Sequence, residues 1–237
     1  MKKCIVVIFL SLLLVAETKA DHALGGEITW NQVGKDSFLV DVIFYRDCNG
    51  ISGGSLMLYV KCISTSSSIG SWSISKPGGV DITPVCKSSC SRCVSSSCSF
   101  PYGVQKYIYS QLIILTNAGS CCDIKLNTQV CCRSSSITTG AANANFFIEA
   151  KMNRCLNSKN NSPQFNNNPV IIACVGQDIA FNYGAFNNDS TNISDSFSYE
   201  WTPPLSNTGV NIAFTGSYSY DKPVFFWGFP NTNLPFP

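Results

Sequence analysis

The chain has 237 residues, with 16 basic and 14 acidic side chains, a single histidine and 13 cysteines. Charged residues make up only 13% of it and never gather into a basic run, which excludes the electrostatic footprint of a nucleic-acid binder. One histidine leaves little material for imidazole-based catalysis.

The chain begins MKK, then IVVIFLSLLLV, and Thr18-Lys19-Ala20 puts small residues at the positions read by a signal peptidase. This predicts a signal peptide over 1–20, cleaved before Asp21. The apolar run is about half of the roughly 20 residues that cross a bilayer. No later stretch is long and apolar enough, so the mature chain is expected to be secreted without a transmembrane segment. Cleavage removes Lys2, Lys3, Lys19 and Glu17 and leaves the two signs of charge balanced. It also removes Cys4, leaving an even set: Cys48, Cys62, Cys86, Cys90, Cys93, Cys98, Cys121, Cys122, Cys131, Cys132, Cys155 and Cys174. In an oxidising compartment an even set predicts disulfides, all twelve cysteines oxidised.

From Gly26 onward the periodicity is that of strands. GEITWNQV puts Ile28 and Trp30 on one face. SFLVDVIFYRD sets Phe38, Val40, Val42 and Phe44 against Leu39, Asp41, Ile43 and Tyr45. SLMLYVKCI, VQKYIYSQLIIL and NFFIEAKMN are built in the same way, rich in β-branched and aromatic residues. No 3.6-residue pattern with caps persists for three turns. The fold class is therefore all-β.

Two cysteine groups interrupt the strands. CKSSCSRCVSSSC (86–98) lacks paired C-x2-C knuckles and has no histidine nearby, so it reads as a disulfide-stapled loop and not a zinc site. SCCDIKLNTQVCCRS suggests a two-residue turn at Leu126-Asn127 facing Cys122 with Cys131 and Cys121 with Cys132. Neighbouring strand residues point to opposite faces, so at most one of these pairs is expected to be direct. The remaining cysteines are expected to reach elsewhere, such as the 86–98 loop.

Composition shifts near residue 156. LNSKNNSPQFNNNP is an Asn-rich, proline-punctuated segment of the type that separates domains. Two domains are expected: a Cys-rich β domain over 21–157 and a second β module over 158–237. In the second, strands are expected near 169–174, 178–183, 196–201, 209–214 and 222–227, fewer than a complete sandwich holds.

DHALGGEITW at the mature start, FYRDCNG (44–50), GVQKYIYS (103–110), CCR (131–133), NSPQFNNNP (161–169) and CVGQDIAFNYGAFNNDS (174–190) occur in that order. The series resembles the N-terminal region of very large cell-surface, gliding-motility-associated proteins of gliding bacteria. The resemblance covers most of residues 21–237. It implies export by the general pathway and then the type IX secretion system. It also implies that a cysteine-bearing β region leads into an immunoglobulin- or cadherin-like module, with further modules downstream. The second domain is then an incomplete immunoglobulin/cadherin-like β-sandwich module.

The chain departs from that pattern in three places. The 86–98 loop is denser in cysteine, so no pairing carries over. The acidic run usual in the family is reduced to Asn187-Asn188-Asp189 and Asp195-Ser196-Phe197. A cadherin-type calcium site needs several oxygen ligands. A site near Asp189 and Asp195 is therefore the lesser reading, and no metal or other cofactor is expected. Nothing like a sorting domain is present. Asp189-Ser190-Thr191 fits the acidic-hydroxyl motif for O-linked glycans on exported proteins of these bacteria, and Ser196 fits it loosely. Asn160, Asn188 and Asn192 match N-x-S/T.

The residues point away from catalysis. His22 lies beside the new terminus, and the cysteine count leaves no spare thiol. Asp41, Asp47, Glu149 and Glu200 are candidate carboxylates with no visible pairing. Trp72, Tyr102, Tyr107, Tyr109, Trp201, Phe225, Phe226 and Trp227 are the aromatics weighed for a sugar-binding face. Trp72, alone in a serine-rich loop, is the candidate surface-binding residue. The expected function is a non-enzymatic extracellular module for adhesion or surface display. Its partners would be cell-surface polysaccharide or protein, with downstream modules of the same polypeptide if it is longer. The alternative is a stand-alone secreted carbohydrate-binding or inhibitor module.

Overall fold

The computed structural model describes residues 22–86, 88–135, 137–156, 160–172, 178, 180–187 and 196–222. The chain is all-β, with antiparallel sheets whose strand ends and loops are stapled by disulfides. Strands come in pairs that alternate between two sheets. β1 (Ala23–Gly34) and β2 (Ser37–Asp47) form a long hairpin, β3 (Leu56–Cys62) and β4 (Ser68–Ile74) a second, in the other sheet. β5 (Val80–Asp81) and β6 (Val104–Ile114) return to the first sheet, and β7 (Asp123–Val130) and β8 (Phe146–Asn153) to the second. Spatial order is β1-β2-β6-β5 in the first. In the second it is β12-β11-β8-β7-β3-β4, where β11 is Leu205–Asn207 and β12 is Val210–Asn211. A separate ribbon joins β9 (Gln164–Phe165) to β10 (Ala185–Phe186).

Alternation along the strands explains the packing. Phe38, Val40, Val42 and Phe44 of β2, with Trp30 of β1 and Tyr107, Tyr109 and Ile113 of β6, form the inner face of the first sheet. Leu56, Leu58 and Val60 of β3 and Ile124 and Leu126 of β7 meet them from the second. The Phe44 and Phe146 rings touch edge to face across the layers at 5.9 Å. Trp72 sits on β4, half-buried against this core, and not in a loop. The serine-rich context concealed a strand whose alternate residues face inward.

The cysteines form five described pairs: Cys48–Cys93, Cys62–Cys121, Cys90–Cys98, Cys122–Cys155 and Cys131–Cys132. The 86–98 loop is stapled as expected, once within itself and once to the end of β2. The expected turn at Leu126-Asn127 is corrected, because β7 runs straight through it. Ile124, Leu126 and Thr128 of that strand are buried, and both edges of β7 are paired, to β3 and β8. Cys121 and Cys122 therefore lie a strand's length from Cys131 and Cys132 and bond to other elements. Cys86 is exposed and has no disulfide partner among the described residues. Cys174 lies outside them.

Asp81 ties the staple to β5 by accepting the hydroxyls of Ser91 and Thr83. Gly103 carries Cys48 N–H on its carbonyl at 2.9 Å. A Cβ there would meet Cys93 Sγ at 2.7 Å, so the crossing requires glycine. Arg154 binds the Asp36 carboxylate and donates to the Cys121 carbonyl at 2.7 Å, closing the opposite end.

The Asn-rich segment expected to separate two domains lies along the edge of β1. Trp30 N–H donates to Ser162 Oγ at 2.8 Å and Ser162 N–H to the Trp30 carbonyl at 3.0 Å. Gln32 N–H donates to Asn161 Oδ1 at 2.8 Å, and Trp30 Nε1 to the Asn160 carbonyl at 3.2 Å. The segment thereby satisfies backbone groups that an edge strand would otherwise expose. Further on, β11 joins β8 through Leu205 and Phe147, so these residues extend the sheet of the first domain. The strands expected near 196–201 and, over their described residues, 169–174 and 178–183 are not formed, and 209–214 holds only the short β12. No helix among the described residues is long and apolar enough to cross a membrane. The leader at 1–20 and the strand expected at 222–227, apart from Lys222, lie outside the described residues.

Candidate functional site, an aromatic cleft beside the first hairpin

Where the β9–β10 ribbon stands beside the start of β1, the surface opens into a hollow of about 1240 Å³. Its floor is made by Gly25, Gly26 and Glu27 of β1 with Tyr45 of β2, and its walls by Phe165, Asn167, 169–171, 180–185 and 199–201. Gly25 has no side chain to stand beside the Tyr45 ring, which keeps the floor low there, whereas Gly26 faces inward toward Phe146 and Ile148. Tyr45 is buried, and its hydroxyl donates to Glu27 Oε1 at 2.7 Å. Burial, then that hydrogen bond and the charge of Glu27, push the Tyr45 phenol above its ordinary range, so it stays protonated. Lys106 lies over the other side of the Tyr45 ring, 5.9 Å from its centroid, and donates to Asn168.

The walls are aromatic. Phe181 and Tyr183 meet edge to face at 4.8 Å, and Phe165 approaches Tyr183 at 5.6 Å. Tyr183, Tyr199 and Trp201 are 43%, 50% and 53% exposed. Asparagine braces this rim: Asn167 Nδ2 donates to the Asn182 carbonyl at 2.6 Å, and Asn182 Oδ1 accepts Gly184 N–H at 2.8 Å. Gly184 turns the chain at φ +64°, a conformation that favours glycine. Gln164 Nε2 donates to Asn31 Oδ1 at 3.4 Å, seating the ribbon on β1.

The structure sorts the residues singled out by sequence. Glu200 and Trp201 line the cleft. Asp41 accepts the Ser110 hydroxyl at 2.5 Å, Glu149 pairs with Lys125 at 3.0 Å, and Asp47 holds Asn49 N–H at 2.9 Å, so these three carboxylates brace the scaffold. Tyr107 and Tyr109 are core residues, and Tyr102 is exposed beside Phe100. His22 is tied down, its carbonyl accepting Asp47 N–H at 3.1 Å. Of the modification motifs, Ser196 is exposed. Asn160-Asn161-Ser162 is folded onto β1 with its serine buried. Ser190, Asn188, Asn192, Asp189, Asp195, Phe225, Phe226 and Trp227 lie outside the described residues.

Glu27, Tyr45, Phe165, Phe181, Tyr183 and Tyr199 were not recognised as one site. A signal was present in FNY and YEW, where aromatics at alternate positions in polar, Asn-rich sequence point the same way along an extended chain. Tyr183, Tyr199 and Trp201 are exposed, whereas Tyr107 and Tyr109 of β6 are buried. No protein-family model, no curated protein and no solved structure matches this chain.

Proposed function

We propose that this chain is a non-enzymatic extracellular module for adhesion or display at the cell surface, with the aromatic cleft as its contact surface. The observation that carries the reading is an open cleft with exposed rings, set on a small all-β scaffold braced by disulfides. Disulfides of this density belong to oxidising compartments. Exposed rings on a rigid scaffold are the usual means of holding a partner without chemistry. The resemblance to the N-terminal region of gliding-associated surface proteins adds a location on the cell and modules downstream. The same cleft also suits a carbohydrate-binding module secreted to work alone. The two readings differ in whether the protein stays on the cell.

Labelled, oxidised chain applied to intact cells of the producing organism tests the proposal. Saturable retention that falls when Tyr199 and Trp201 are both changed to alanine is the expected result. Retention that is absent or unchanged by those substitutions would overturn it, as would hydrolysis of surface polysaccharide by the purified chain.

A further inference from the structure

We infer that the cleft takes a neutral oligosaccharide; this rests on the reading of the cleft as a contact surface and names the ligand class. Three features converge. The first is the pairing of exposed rings with polar groups at the same rim. Tyr183, Tyr199 and Trp201 offer flat apolar faces, which match the C–H faces of pyranose rings. Glu200 and Asn182 are polar groups that line the same cleft.

The second feature is charge. Among the described residues lining the cleft, the charged ones are Glu27 and Glu200, both acidic. Lys106, which lies over the Tyr45 ring, is engaged with Asn168. Recognition of a uronate, sialate or sulfate calls for arginine or lysine aimed at the anion. Two carboxylates in place of those cations repel such sugars and leave neutral ones.

The third feature is donor supply. Ionised carboxylates only accept hydrogen bonds. A saccharide brings a donor on almost every carbon. A proline-rich peptide, the other ligand that prefers aromatic grooves, lacks N–H at each proline and has few donors to give. At about 1240 Å³ the hollow exceeds the roughly 300–1,000 Å³ of a small-molecule pocket and has room for several sugar units. Glu27 already accepts the Tyr45 hydroxyl through one oxygen, which fixes its carboxylate and leaves the other oxygen for ligand.

The test is calorimetric titration of the oxidised full chain with a panel of neutral hexose and N-acetylhexosamine hexamers. A polygalacturonate hexamer and a proline-rich decapeptide serve as competitors. At least one neutral hexamer should bind and the polygalacturonate should not. Trp201→Ala should weaken binding by about tenfold or more, as truncating a stacked anchor does, while Trp201→Phe should stay within a few-fold. An unchanged far-ultraviolet dichroism spectrum and denaturant midpoint confirm that each variant is folded. Binding of no neutral hexamer overturns the inference. So does equal binding of the anionic hexamer or the peptide, or indifference to Trp201→Ala. Cell retention measured on the same preparations separates the two proposals. Retention that depends on Trp201 without sugar binding sinks this inference and spares the adhesion reading. Sugar binding without retention does the reverse.

Discussion

Residues 22–156 and 160–222 are both β structure, yet they are held by different means. In the first, strands other than β5 run for seven to twelve residues, and the buried core cluster lies wholly within it. All five described disulfides are there as well. In the second, strands are two or three residues long, and only Ser162 and Ile212 are buried among the described residues. That region is laid on the first through polar contacts to β1, the β8 edge and the Thr139 carbonyl. The difference teaches where the packed frame and the exposed rings are placed. A packed, stapled sandwich presents its first hairpin as a floor, and a polar, loosely built segment supplies the rings. Binding surfaces are commonly assembled from the less stable part of a fold on the more stable one.

The comparison can be broken most forcefully at the staples. Cys62–Cys121 spans 59 residues and joins the end of β3 to the turn before β7. Replacing both cysteines with alanine should cost about 4 kcal/mol on the loop-entropy relation. Denaturant unfolding of the oxidised proteins measures it, and a loss below about 1 kcal/mol would show that the packed sheets, not the bridges, dominate. Next comes the core. Leu58 is fully buried between the sheets, and Leu58→Ala should cost about 2–5 kcal/mol, read from the same unfolding curves.

A smaller effect should appear at the seam. Ser162→Ala removes the acceptor of the buried Trp30 N–H, a local loss of about 1–3 kcal/mol. Hydrogen exchange should accelerate at Trp30 and through 160–165 while β3 and β7 stay protected. Equal acceleration throughout would mean that the two regions unfold as one unit.

The smallest effect expected is with pH. Burial works against the Asp81 carboxylate, but the Ser91 and Thr83 hydroxyls and the Thr83 N–H outweigh it and hold its pKa below the ordinary 3.8. A depressed carboxylate contributes stability that is fully present above the unfolded pKa and is lost as pH falls through the folded one. The 86–98 loop should therefore loosen only below about pH 3.8, seen as faster exchange at Ser91 and Cys93. Asp81→Asn should flatten that dependence. Loosening between pH 5 and 7 would point to another group.

Much of the sandwich was legible in the sequence because a strand with one buried face writes its orientation into every second residue. Phe38, Val40, Val42 and Phe44 were assigned to one face and are all buried. The stapled character of 86–98 followed from cysteine parity and compartment, which are properties of composition. What the sequence concealed depended on partners far along the chain. DIKLNTQV, flanked by doublets of cysteine, read as a hairpin, but with β3 on one side and β8 on the other it is a continuous central strand. NNS at 160–162 read as a linker because asparagine and serine suit turns, whereas here their amide and hydroxyl oxygens cap the β1 edge. Trp72 and Trp201 looked alike in polar sequence. One packs against the core and the other lines the cleft, and only the path of the chain separates them.

By itself, then, the sequence determined the all-β class, the inner faces of the long strands and the reliance on disulfides. Each of these is set by local alternation or by a count. Which cysteines pair, which edge the Asn-rich segment covers and which rings share a cleft with Glu27 and Tyr45 were decided only by the tertiary structure. Glu27 and Trp201 are far apart along the chain, and no local pattern encodes their meeting. Part of it arises because 160–162 satisfies the backbone edge of β1, which lays the adjoining ribbon beside the floor of the first hairpin.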